Sequence, residues 1–163
     1  LNSISGTFII ETARFQWLAP MSSGGLAAID VRDVAQSHIH AVEKGRTGER
    51  YLLNTANHTY KEWFTMIAEA CEVRPPIFTS PDWMLEPTAR LIELLRSLGI
   101  QTPMDANQTR LGGTNAYFDA SKAHAELYKP QIDLMTSLRE TAQWYQENGY
   151  IKHNLLTRLI GWI

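Results

Sequence analysis

The chain has 163 residues, 44% of them hydrophobic and 20% charged, with a formal net charge of −2 at pH 7. That is enough for one domain with an appendage, and apolar enough to bury a core. The near-neutral balance and scattered basic residues leave no electrostatic footprint for nucleic acid or an anionic membrane.

The chain opens on Leu1 and meets the apolar segment Thr7-Phe8-Ile9-Ile10 almost at once, which reads as a chain continuing upstream or a trimmed one. Residues 1–20 are compatible with a short helix or an extended piece ending at Pro20. Met21 to Gly25 is a loop by composition, and Leu26–Ile29 a short buried strand. Asp30 is placed to cap a helix in which Val31, Val34, Ala35, His38, Ile39 and Val42 recur at helical spacing, with Gly45 as its stop. Arg50–Asn54 reads as a strand between turn residues. Thr59-Tyr60-Lys61-Glu62 is a capping box, because the threonine hydroxyl and the glutamate carboxylate can each satisfy one orphan backbone N–H. The helix it opens carries Tyr60, Phe64, Ile67, Ala68 and Cys71 on one face and must end before Pro75-Pro76.

Ile77-Phe78-Thr79 is short and extended. Pro87 suits the first turn of a helix running to Leu98 and stopped by Gly99. Leu91, Ile92, Leu94, Leu95 and Leu98 make that helix apolar on more than one face, so it is deeply buried or meets something outside this chain. Residues 100–117 read as loop around Gly112-Gly113. Asp119 can cap a short helix over Ala120–Tyr128, closed by Pro130. A last helix covers Ile132–Glu147, with Leu134, Leu138, Ala142 and Tyr145 inward and Asn148-Gly149 at its end. The tail from Leu155 to Ile163 is apolar and helix-compatible. It fits packing against the body of the protein, with contact to a membrane surface as the alternative.

Chemical signatures are sparse. No G-x-G-x-x-G follows a strand, no Tyr-x-x-x-Lys pair occurs, and no serine sits in a G-x-S-x-G elbow. His38 lies on the apolar stripe of its helix and reads as a hydrogen-bonded core residue. His124 and His153 read as solvent-facing, and the five histidines lack metal-ligand spacing. Asp30 and Asp33 fit capping and the helix dipole, and Glu69 and Glu72 a solvated face. Cys71, the single cysteine, reads as a buried, inert thiol, in keeping with a cytoplasmic protein.

Certain stretches do carry a resemblance. Asp30-Val31-Arg32-Asp33-Val34-Ala35, Gly48-Glu49-Arg50-Tyr51, Asn57 to Glu62, Phe118-Asp119-Ala120-Ser121-Lys122-Ala123 and the closing Trp144 with Gly149-Tyr150 stand in the order and spacing found in a known family. Over about residues 24–150 the chain resembles the C-terminal part of extended short-chain dehydrogenases/reductases, the NAD-dependent epimerase/dehydratase family. Its wording is nearest the dihydroflavonol-reductase-like and hopanoid-associated sugar-epimerase-like branch.

The resemblance implies an α/β fold, with a few strands at the edge of a Rossmann-type sheet followed by a mostly helical substrate-binding lobe over residues 1–150. Residues 151–163 would be an apolar tail. It further implies NAD or NADP held by an N-terminal half upstream of Leu1, together with the catalytic residues, so no catalytic residue is assigned here. It also suggests a small-molecule substrate and a possible homodimer. Sugar-nucleotide epimerases of the family place a diphosphate-binding arginine seven residues before the aspartate matching Asp33; here that position is Leu26. A second such arginine lies near Arg110, the one candidate substrate-binding residue. Losing one clamp favours a carbonyl or hydroxyl substrate without a diphosphate. The alternatives are the same lobe of a nucleotide-sugar epimerase, or a stand-alone domain that binds a small molecule or partner without catalysis.

Overall fold

A computed structural model describes residues 4–14, 21–100, 102 and 105–151. In chain order the elements are α1 (Ile4–Ala13), β1 (Gly25–Ala28), α2 (Val31–Lys44), β2 (Ala56–Thr59), α3 (Tyr60–Ala70), α4 (Leu85–Ser97), α5 (Ala106–Leu111), β3 (Asn115–Ala116), α6 (Ser121–Glu126) and α7 (Leu134–Glu147). A 3-10 turn over Asp82–Met84 leads into α4. The expected architecture, few strands and then mostly helices, is present. The apolar tail lies outside the described residues, apart from Ile151.

Local chemistry explains most helix ends. The capping box of α3 is formed: Glu62 N–H donates to Thr59 Oγ1 at 3.2 Å, and Thr59 N–H to Glu62 Oε2 at 2.9 Å. Asp30 caps α2 by accepting from Arg32 N–H at 2.7 Å, and Asp133 caps α7 by accepting from Thr136 N–H at 3.0 Å. Gly99 and Gly149 take φ of 82° and 75° just beyond α4 and α7, the left-handed conformation that terminates helices most cheaply at glycine. The stretch read as loop holds α5, whose own capping box pairs Asp105 with Gln108.

The principal core is helical. Ile9 and Ala13 of α1, Ile67 of α3, Cys71, and Leu138, Ala142 and Tyr145 of α7 are buried together with Ile151, and Phe8 meets Phe64 edge-on at 5.2 Å. These are the inward positions expected for α3 and α7. Cys71 is fully buried, and burial pushes its thiol up to about 11, as expected of an inert thiol.

The sheet departs from expectation in a revealing way. Its order is β2-β1-β3, with β1 antiparallel to β2 and parallel to β3. The strand expected at Leu26–Ile29 therefore lies at the centre of a small sheet, shifted by one residue, and is flanked on both sides. The strand expected at Arg50–Asn54 is not in a ladder; β2 begins two residues later, and Thr55 N–H donates to Ala28 O at 2.8 Å. Tyr51-Leu52-Leu53 has strand-forming side chains, but a strand also needs a neighbour for its backbone. The described residues supply none there.

The apolar stripe expected to bury α2 turns outward instead. Asp33 and Ser37 are its buried residues, whereas Val31, Ile39 and Val42 are 77%, 52% and 90% exposed. Polar bonds set that rotation. Asp33 accepts from Tyr128 O–H at 2.9 Å and from the backbone N–H groups of Gln131 and Ile132 at 3.1 and 3.0 Å. Arg32 bridges Asp30 and Glu140, both at 2.8 Å. A buried carboxylate left without these donors would cost more than exposing three aliphatic side chains. On α4, Ala89 is buried while Leu91 and Leu94, like the capping Leu98, are exposed, so the reading of that helix as deeply buried does not hold.

Candidate functional site

The sheet organises two regions worth asking about. At the N-terminal end of β1, Gly24 and Gly25 run against the loop Gly112–Thr114, with Gly24 N–H donating to Gly112 O at 2.9 Å and Gly25 N–H to Thr114 O at 3.3 Å. A Cβ at Gly24 would strike the carbonyl oxygens of Gly112 and Thr114, so glycine is required there for close backbone approach. Gly24-Gly25 enter a strand and Gly112-Gly113 follow a helix. Neither pair therefore offers the loop-to-helix phosphate cradle of a dinucleotide site.

Arg110, on α5, lies at this end. Its guanidinium is held by Glu86 at 2.8 Å and Glu93 at 2.7 Å, both on α4. Bonds from Arg110 and then Arg90 hold the Glu86 carboxyl down at about 2, and Glu86 and Glu93 raise Arg110 further above its usual range. The carboxylates already occupy the cation. Leu26 sits within β1, opposite His58 on one neighbour and Ala116 on the other, so no arginine stands at that register.

The second region is an open cleft of about 480 Å³ at the opposite end of β1 and β3. Its lining includes Asn54, Thr55, Asn57, Phe118, Asp119 and His124. Asn54 Nδ2 donates to Asn57 Oδ1 at 2.7 Å and to Phe118 O at 2.9 Å, and Asn57 Nδ2 donates to the same carbonyl at 3.1 Å. His124 Nε2 meets Asn54 O at 2.8 Å. A carbonyl can only accept, so the proton sits on Nε2. His124 is thus half-buried and bonded, not solvent-facing as expected. His38, also misjudged, is exposed, although its Nδ1 does bond Val34 O at 2.8 Å.

Asp119 accepts from Ser121 N–H at 2.9 Å and so opens α6, and that bond holds its carboxyl below the usual range. Lys122 points away from the cleft, to Glu49 at 2.6 Å and over the Tyr51 ring at 4.5 Å. Sequence reasoning missed Asn54, Thr55 and Asn57 as cleft residues; Asn54 and Asn57 share a partner, Phe118 O, that lies more than sixty positions away. The only local signal was polar residues where a strand should end. Among the described residues no group of histidine, cysteine and carboxylate side chains could hold a metal ion. No described helix is long and apolar enough to cross a membrane.

Comparison with known proteins gives a consistent picture. No family model matches the chain. A protein of Synechocystis sp. named "Putative dihydroflavonol 4-reductase" is 31% identical over 153 residues, which cover 91% of this chain and 44% of that protein. Among solved structures, that of gox2253 superposes with a TM-score of 0.72 at 27% identity, over 92% of this chain and 46% of the other. A nucleoside-diphosphate-sugar epimerase from Pseudomonas aeruginosa, PA4631, gives 0.68 at 23% identity over 91% and 44%, and shares the fold. The chain thus spans less than half the length of each of these relatives.

Proposed function

We propose, from the premise that this chain belongs to the extended short-chain dehydrogenase/reductase family and corresponds to the C-terminal half of its members, that it forms the substrate-side part of an NAD(P)-dependent reductase or epimerase. The observation that carries this is the 31% identity to a reductase-named protein along 91% of the chain, in a fold shared with gox2253 over the same extent. The bound nicotinamide would supply the chemistry, accepting or giving a hydride at a substrate carbon. Gly24 serves close backbone approach to the Gly112–Thr114 loop rather than a phosphate cradle, and the cofactor would be held by the other half of such a protein.

Two features bear on the substrate. The leucine at position 26 and the prior engagement of Arg110 with Glu86 and Glu93 favour a carbonyl or hydroxyl compound without a diphosphate. Arg110 would at most reach a single polar group, by exchanging one of its carboxylate partners. The uncovered faces of α2 and α4 and the unpaired stretch Tyr51–Leu53 suit docking against a cofactor-binding half.

The test is isotopic. The intact protein that carries this chain is incubated with NADH or NADPH deuterated at the transferring carbon, and with carbonyl compounds and UDP-sugars in parallel. Deuterium appearing in a reduced, diphosphate-free product is the expected result. Turnover of UDP-sugars alone overturns the substrate reading, and no cofactor-dependent turnover of either class favours a non-catalytic binding domain.

A further inference from the structure

The end of α7 leaves an aromatic surface open that the reading above does not use. Trp144 and Tyr150 stack at 5.9 Å with their rings 15° apart, and Tyr145 meets both edge-on. Tyr145 is 6% exposed and belongs to the core, whereas Trp144 and Tyr150 keep 48% and 40% of their surface in water. Glu140 and Glu147 stand four residues before and three after Trp144, on the same exposed face of α7. Glu140 pairs with Arg32 at 2.8 Å. Glu147 accepts from Gln143 Nε2 at 2.8 Å and meets no cation among the described residues. The face is aromatic at its centre and acidic on both sides.

The turn after α7 keeps the chain close to this face. Tyr150 N–H donates to Tyr145 O at 2.9 Å and Gly149 N–H to Gln146 O at 3.1 Å, the paired bonds of a glycine-terminated helix end. Ile151 is 5% exposed in the cluster that holds Leu138, Ala142 and Tyr145. The chain therefore turns back to the body at Gly149 rather than running on past the helix.

Twelve residues follow, Lys152 to Ile163. Leu155, Leu156, Leu159, Ile160 and Ile163 are spaced i, i+1, i+4, i+5, i+8, which would share one face of a helix, with Asn154, Thr157, Arg158 and Gly161 opposite. Twelve helical residues would span about 18 Å, and Trp144 lies only about 6 Å back from the end of α7 at the same rise per residue. The segment carries Lys152 and Arg158 and no acidic residue, so its charge complements Glu140 and Glu147. An anionic membrane surface would instead be repelled by those carboxylates.

We infer that residues 152–163 dock on the outer face of α7, laying their apolar side over the stacked Trp144 and Tyr150 rings and their basic residues beside Glu140 and Glu147. The inference concerns residues of this chain alone and stands or falls apart from the cofactor reading.

The test uses the full 163-residue chain labelled with 5-fluorotryptophan, its five tryptophan resonances assigned by single Trp→Phe substitutions and followed by fluorine NMR. It is compared with a chain ending at Ile151 and with the full-length variant Leu159→Glu/Ile160→Glu. Both changes should shift the Trp144 resonance and leave that of Trp83, at the entry to α4, in place. Relaxation of Trp144 by a soluble paramagnetic agent should rise at least about twofold, because about half of that residue's surface is at stake. The charge variant keeps the full length, so its result stands even where the shortened chain does not fold. A Trp144 resonance indifferent to both changes, or a shift at Trp83 in its place, would overturn the assignment. So would a Trp144 response that grows with protein concentration, which gives the segment to a second copy. Trp162 responding to phosphatidylserine vesicles while Trp144 stays indifferent to both changes would give it to a membrane surface.

Discussion

Asp33 shows how one side chain can outweigh a helical pattern. Its carboxylate collects three donors from the segment Tyr128–Ile132 while being 1% exposed, and so ties α2 to the start of α7. Asp33→Asn keeps the size but turns one acceptor into a donor facing donors. It should cost about 2–4 kcal/mol in urea unfolding, as expected when a buried charged acceptor is lost. Thr59→Ala removes one arm of the α3 capping box and should cost about 0.5–2 kcal/mol in the same measurement. Cys71 gives a pH prediction. Its folded thiol titrates near 11, above the unfolded value, so the unfolded chain loses its proton first as pH rises. The contribution is complete below about pH 8.5, the unperturbed thiol value, and is lost towards pH 11. Cys71→Ala should flatten that alkaline decline in stability, and native Cys71 should resist alkylation at pH 8 until the chain unfolds.

At the scale of elements, what was legible in the sequence depended on how far the determining contacts reach. The N-caps of α2 and α3, the glycine stop after α7 and the inward positions of α3 and α7 could be read because cap and helix are neighbours in sequence, whereas the Asp133 cap of α7 was placed inside the helix. The Asp105/Gln108 box that opens α5 is of the same local kind and was there to be read. Strand placement was less accessible. Tyr51-Leu52-Leu53 has the side chains of a strand, but the pairing goes to Ala56–Thr59, which faces Gly25–Ala28 in register. The α2 stripe was read correctly as a pattern and wrongly as a buried face, because Asp33 and its distant partners decide which side turns inward. The cleft residues were illegible for the same reason: Asn54 acquires meaning only beside Phe118, 64 positions later. In this chain Val42→Lys, on the outward stripe, should change stability by no more than about 0.5 kcal/mol. Leu138→Ala, in the helical core, should cost about 2–5 kcal/mol. Denaturant unfolding of the two variants side by side checks that α2 carries its apolar stripe outward.

For the molecule as a whole, the uncovered faces and the relatives' lengths point the same way. The helical core and small sheet of this chain match less than half of each relative, and the strand-like Tyr51–Leu53 segment has no ladder partner among the described residues. These features cohere if the chain works as the substrate side of a larger reductase or epimerase. Residues for holding a dinucleotide would then lie in the other half, which sits ahead of this part in proteins of the family. The most direct measurement is to read the coding sequence upstream of Leu1. An open frame that encodes a strand, a glycine-rich loop entering a helix, and further on a Tyr-x-x-x-Lys pair is the expected result. A stop codon or an unrelated domain immediately before Leu1 would contradict it.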